Sequence, residues 1–198
     1  MAQQRMRGSH IRTIGVTLAS ALALSACVFR QGYPVSWGTL AEGCPDISGV
    51  YWDAGERWGA SLPVPFRAPT IVTRSLSALL SGAGEYGKPF KVELTQRETG
   101  ELRVQLWVDD TTGSQYGVTY RCTPQALEVQ LPPRWVRASL GLVRASGSLY
   151  LTTGVGGDLI GNLNYHTYGT LLFVPIIASG NTWYRFKRVP DVKTQPVV

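Results

Sequence analysis

Beyond Lys88 the hydrophobic and polar positions alternate with a period of two, the mark of strands with one face turned to a core. The clearest run is Glu101-Leu102-Arg103-Val104-Gln105-Leu106-Trp107-Val108, which sets Leu102, Val104, Leu106 and Val108 on one face. Residues 88–96, 115–122, 126–131, 134–144, 147–153, 158–166, 169–174 and 182–189 also read as strands. Gly154, Gly156 and Gly157 mark a hairpin turn, and Pro132-Pro133, which lacks two backbone donors, reads as a break. One segment, 71–81, has helical spacing, with Thr70 or Thr73 as N-cap, Leu76, Leu79 and Leu80 on one face and Gly82 as the stop. So short a helix does not stand alone in water, so its leucines must pack on the sheet. Residues 44–52 read as a turn and a short strand, and 61–70, with Pro63, Pro65 and Pro69, as loop or edge. The pattern predicts an all-β fold, an antiparallel β-barrel or roll with one short helix packed against it.

The first 26 residues follow a different pattern. Arg5, Arg7 and Arg12 precede an apolar run of eleven residues, Ile14–Leu24, with no acid in the segment. A bilayer span needs roughly 20 apolar residues, so the run suits the apolar core of a signal peptide. It ends in Leu24-Ser25-Ala26-Cys27, which resembles the lipobox of bacterial lipoproteins. The resemblance implies cleavage between Ala26 and Cys27 and acylation of Cys27 by diacylglyceryl and palmitate-type chains. Two or three chains suffice for stable anchoring where one does not. An ordinary secretory signal and a short transmembrane anchor are the alternatives. Val28, not Asp, follows the cysteine, and in that family this points to the outer membrane, with the domain facing the periplasm. Met1 and Met6 are both possible starts.

Removal of residues 1–26 changes the charge picture. The whole chain has 19 basic and 13 acidic residues, a net charge of +6. The removed part holds three of the basic residues, so the mature chain carries +3 over 172 residues and argues against nucleic acid as a partner. Both methionines and His10 leave with it, and His166 is the histidine that remains. The domain reading is 27–43 as lipidated terminus and tether, 44–190 as one β domain and 191–198 as a tail. Phe29, Tyr33 and Trp37 make the tether aromatic, suited to the headgroup zone or to packing on the domain. Extended, its 16 residues reach roughly 55 Å. With Cys27 acylated, Cys44 and Cys122 form an even pair in an oxidising compartment and read as a disulfide, with two buried thiols as the alternative.

Candidate chemistry is sparse. On 158–166, Leu159, Gly161, Leu163 and Tyr165 share one face and Asn162, Asn164 and His166 the other. The second face reads as a polar binding patch, or a general base at His166, against the plainer reading of a solvated face. Asp109-Asp110 reads as a turn, and Asp53 and Glu56 flank Gly55 in a loop. Nucleophile-elbow, phosphate-loop and dinucleotide motifs are missing, and no metal site or cofactor is expected. Arg134, Arg137, Arg144, Arg185, Lys187 and Arg188 suit anionic headgroups or solvated strand faces with edge protection.

Gly43-Cys-Pro-Asp-Ile-Ser-Gly-Val-Tyr51 is similar to the opening of uncharacterised proteobacterial lipoproteins. Gly49-x-Tyr51 and Trp183-Tyr184-Arg185-Phe186 resemble lipocalins, whose fold implies a cup for a small apolar ligand. The chain departs from lipocalins in placing its helix early, with none after the last strand. All six tryptophans lie beyond Cys27, and such bulk predicts a packed interior or a narrow apolar pocket. The expected function is a non-catalytic binding or interaction module on a membrane, with a protein of the envelope as partner. A carrier of a small apolar ligand is the alternative, and a hydrolase the least favoured.

Overall fold

The computed structural model describes residues 26–59, 73–81, 90–109, 111–138, 141–171 and 174–190. The apolar leader through Ser25, the Pro63/Pro65/Pro69 segment, Thr70, Gly82, Asp110, the tail 191–198 and the side chains of Cys27 and Arg137 lie outside the described residues.

The chain is all-β with a single α-helix among these residues. In order, the elements are β1 (Ala26–Phe29), β2 (Gly49–Trp52), β3 (Glu56–Trp58), α1 (Leu76–Ser81), β4 (Lys91–Gln96), β5 (Glu101–Val108), β6 (Thr111–Cys122), β7 (Leu127–Ala138), β8 (Gly141–Thr153), β9 (Leu159–Leu171) and β10 (Val174–Phe186). One sheet runs β1-β10-β9-β8-β7-β6-β5-β4-β2, with β3 also on β10. From β2 to β10 every pairing is antiparallel, and β1 joins β10 in parallel. The sheet curls until β2 returns to the chain just past β10. There the Trp52 N–H donates to the Lys187 carbonyl at 3.0 Å and the Val189 N–H to the Val50 carbonyl at 2.8 Å, either side of a Tyr51–Arg188 bridge. The far edge of β10 is thus shared by β1 and β3, and β2 takes the chain beyond it.

The inward faces meet in one core. Leu102, Val104 and Leu106 of β5 are buried together with Val92 and Leu94, Leu127 and Val129, Leu149 and Leu151, and Leu159 and Leu163. Val108, at the hairpin end of β5, is only half-buried. Leu76, Leu79 and Leu80 bring α1 into the same cluster. A leucine side chain buried in this way gains roughly 1.5–3 kcal/mol over an exposed one, which holds a helix too short to persist alone.

Several boundaries differ from the sequence pattern. Pro132-Pro133 does not end a strand: β7 runs through it, with a register shift between Leu131 and Arg134. A bulge takes the prolines out of the ladder, where their missing donors cost nothing. The segment 134–144, predicted as one strand, is divided between β7, which ends at Ala138, and β8, which begins at Gly141. Likewise 158–166 and 169–174 do not form two strands: β9 continues to Leu171, and β10 begins at Val174 rather than 182. Gly147, the first residue of the predicted strand 147–153, lies within β8, where a Cβ would sit 2.2 Å from the Asn164 carbonyl oxygen. There glycine permits a close strand approach and marks no turn. The turn at Gly154–Gly157 is found between β8 and β9.

The helix starts at Leu76, five residues later than its leucine spacing suggested. Ser75 is its cap: its carbonyl accepts the Leu79 N–H at 3.1 Å and its Oγ the Ala78 N–H at 3.2 Å. Thr73 instead bonds the Ser75 N–H at 3.0 Å, a local turn before the helix. The carbonyl and carboxylate of Asp53 take the N–H groups of Leu76 and Ser77 at 2.9 and 2.8 Å. All three of the first free donors of α1 therefore have partners.

Candidate functional site

Ala78 and Leu79 of α1 cover a cavity of about 40 Å³, walled by Leu131, Ala145, Leu163 and Tyr165. That is space for a water or so, against the roughly 300–1,000 Å³ of a typical ligand site. Burial pushes the Tyr184 hydroxyl up to about 12, with Arg57 pulling the other way. It raises Tyr165 as well. Both phenols are neutral at physiological pH.

The side wall has an opening. β6 and β7 pair only through Tyr120–Cys122 and Leu127–Val129, and the rest of each strand pairs with its other neighbour. α1 stands at the gap along its length: Tyr116 Oη donates to the Ser77 carbonyl at 3.1 Å and Arg134 to the Ser81 carbonyl at 3.2 Å. A cleft of about 400 Å³ remains beside it, bordered by Leu80, Tyr116, Arg121, Glu128 and Gln130. Glu128 is buried and accepts Arg121 Nε at 2.5 Å, Gln130 Nε2 at 2.5 Å and Tyr150 Oη at 3.2 Å. The hydrogen bond from Arg121 holds its carboxyl below the usual carboxylate value, against the opposing effect of burial. This is a fully partnered carboxylate, not one poised to exchange a proton.

The sequence-predicted stripe on β9 faces outward. Asn162 and Asn164 are half-buried and His166 is exposed, while Leu159, Gly161, Leu163 and Tyr165 point to the core. The stripe lies along two grooves. One, about 640 Å³, joins Asn162 and Asn164 to Tyr150, Trp183, Glu42 and Gln125. The other, about 370 Å³, joins Asn164 and His166 to Arg30, Ser179 and Asn181. The Asn162 Oδ1 is buried without a hydrogen-bond partner.

These grooves owe their walls to the segment before Cys44, which lies on the barrel. The Gln31 carbonyl accepts Asn181 Nδ2 at 2.9 Å and Trp183 Nε1 at 3.0 Å, and its N–H donates to Asn181 Oδ1 at 2.7 Å. Tyr33 meets the Trp183 ring edge-on at 5.0 Å, and Arg185 stacks over Trp37 at 5.2 Å. Further on, the Ala41 N–H donates to the Thr153 carbonyl at 2.8 Å. The strap ends in the Cys44–Cys122 disulfide, which ties it to the end of β6 with a Cα separation of 5.3 Å. Tyr33 and Trp37 therefore pack on the domain, one of the two roles their composition allowed. Hydrophobicity read in windows could not have found this, because the pairing partners lie about 150 residues away.

Cys27 itself belongs to β1, where its backbone pairs with Ala178, next to Ile177 opposite Ala26. The remaining sequence candidates are structural. Asp53 lies in the bend between β2 and β3 as the buried partner of α1, and Glu56 sits on β3 rather than in a loop, in an ion pair with Arg185. Asp109 occupies the β5–β6 turn at φ 49°. Lys187 pairs with Asp158 at 2.7 Å, and the Arg188 backbone N–H reaches the same carboxylate. Arg144 stacks over Tyr168 at 5.6 Å. Among the described residues no three His, Cys, Asp or Glu side chains cluster as metal ligands. Comparison with protein-family models, with curated proteins and with solved structures finds no match to the chain.

Proposed function

We propose that this protein is an envelope lipoprotein, anchored by acylated Cys27 in the outer membrane with its barrel toward the periplasm. In this reading it works without catalysis, through the outer surface of the barrel. The observation that carries the anchor is the ordered run of basic start, apolar core and Leu24-Ser25-Ala26-Cys27. Support for a surface role comes from the cavity under α1, which offers about 40 Å³, while the grooves beside Asn162, Asn164 and His166 are several times larger. A protein partner seated there would meet amides, a histidine and the indole of Trp183.

The test is mass spectrometry of protein purified from its own membranes, with photo-crosslinkers placed at Asn164 and His166. Acyl mass on an N-terminal Cys27, lost in Cys27→Ser, together with a discrete crosslinked species is the expected result. An unacylated Cys27 defeats the anchor, and crosslinks no different from those at a site on another face defeat the surface role.

A second reading, a carrier for a small apolar ligand, is favoured by one observation. The cavity under α1 is lined by apolar side chains, and the β6–β7 gap lies on the other side of the same helix. Native mass spectrometry of the acylated protein decides it: a retained lipophile supports a carrier, and the bare protein mass counts against one.

A further inference from the structure

A cross-strand row on the outer face of the sheet begins where Cys27 is fixed. The register sets Ile177 beside Tyr168, Tyr168 beside Arg144 and Arg144 beside Trp135, with Ile177 next to the residue that pairs with Cys27. Three of these side chains are large, apolar and open to solvent: Ile177 is 62% exposed, Tyr168 42% and Trp135 61%. Val28, the residue after Cys27, is 65% exposed and pairs with Ser179, next along β10 on the same face as Ile177. Strands lie about 4.8 Å apart, so the row is continuous over roughly 15 Å. Scattered exposed hydrophobics are normal on soluble proteins, but a contiguous patch marks an interaction surface.

We propose that this row, Trp135–Arg144–Tyr168–Ile177, is the face on which the barrel rests against the lipid bilayer, a proposal that depends on acylation of Cys27. The argument is one of slack. With a free tether of 16 residues the domain could take any attitude to the membrane. In this fold the tether is consumed: Cys27 already lies in the ladder with β10, and the chain from Gln31 to Cys44 is fastened to the barrel. Acyl chains on Cys27 therefore start from β1, the end strand of the sheet beside β10, and the exposed surface next to that strand is drawn to the headgroups with them. The residues found there have the chemistry of that zone. Trp and Tyr favour the interface between headgroup and acyl chain. Arg144, held over the Tyr168 ring, carries its charge on a long apolar stem toward lipid phosphates. Ile177 and Val28 supply purely apolar contact. The same orientation leaves the turn at Val155–Gly157, at the opposite end of β8 and β9, away from the membrane.

The experiment uses the full-length protein, processed and acylated in its host and reconstituted into phosphatidylcholine/phosphatidylglycerol vesicles. Tyr168→Cys, Ile177→Cys and, as a control, Val155→Cys each carry an environment-sensitive fluorophore. The expected result is a blue shift at 168 and 177 on reconstitution, with quenching by spin-labelled lipid several-fold stronger than at 155. Equal, weak quenching at all three sites in protein whose mass shows acylated Cys27 overturns the membrane face and leaves the anchor standing. Shielding at 168 in native envelopes without quenching in vesicles also overturns it, in favour of a protein partner. A mass that shows no acylation removes the anchor and this proposal together.

Discussion

The Asp53 carboxylate accepts the backbone N–H of Ser77 at 2.8 Å, joining the end of β2 to the first turn of a helix 24 residues later. Asp53 is buried, and its own carbonyl takes the Leu76 N–H. The chain between β2 and α1 is thus pinned at both ends, and α1 is oriented with its leucines toward the core. Asp53→Ala strands the Ser77 donor in a buried position, and such a loss costs about 1–3 kcal/mol. Asp53→Asn keeps an acceptor oxygen and should cost less. Urea unfolding of both variants checks the order, and equal stability of Asp53→Ala and the parent protein would show that the helix is held by its leucines alone.

This contact also shows where a sequence stops being legible. Alternation is local, so the faces of β5 and of β9 could be read from residues two apart, as could the leucine face of α1. The all-β class followed from those faces. Strand ends could not be read in the same way, because a proline pair or a glycine marks a turn or a bulge according to the neighbouring strand. Gly147 lies inside β8, where the Asn164 carbonyl of the neighbouring strand leaves no room for a Cβ. For the candidate site, the outward stripe of Asn162, Asn164 and His166 was visible. The strap that gives it walls was not, since Gln31 finds Asn181 and Trp183 only after the barrel has formed. The same holds for Asp53, whose role needs α1 in place.

Leu106 and Val104 report on the interior. Both are buried in a core that leaves about 40 Å³ free under the helix. Leu106→Ala should cost about 2–5 kcal/mol, the range for emptying a packed site. Val104→Ala, which removes less, should cost less. Denaturant midpoints with unchanged slopes are the measurement. A cost at Leu106 well under this range, accompanied by altered binding of a lipophilic dye, would indicate an interior that is open in solution and would favour the carrier reading.

The Cys44–Cys122 bridge closes a loop of 78 residues and ties the strap to the end of β6. Chain entropy puts its contribution near 4.5 kcal/mol as an upper figure. Reduction, or Cys44→Ser with Cys122→Ser, should lower stability by about 2–4 kcal/mol and free the strap first, since β1 and Gln31 hold it only on one side. Hydrogen exchange at Ala41 and Gln31 should therefore rise before exchange in β8 and β9 does. Two labelled thiols in protein taken under non-reducing conditions would remove the bridge from the account.

Glu128 makes the acid limb of stability predictable. Its folded carboxyl is held below 4.5 chiefly by the hydrogen bond from Arg121, with Ser148 and Tyr150 acting in the same direction. A carboxyl depressed on folding binds protons more readily in the unfolded chain, so its contribution is fully present above the unfolded value. It fades as pH falls below about 4.5 and is gone once the folded carboxyl is itself protonated. Glu128→Gln cannot ionise, and it should lose stability at neutral pH while showing a shallower fall between pH 5 and the acid end. Arg121 is largely exposed, so salt should weaken the neutral-pH difference. Thermal midpoints of the two proteins, taken across that range at low and high salt, should converge as pH falls. Parallel curves would mean that Glu128 keeps the same protonation in the folded and unfolded chain, and that the Arg121 contact adds nothing to the acid limb.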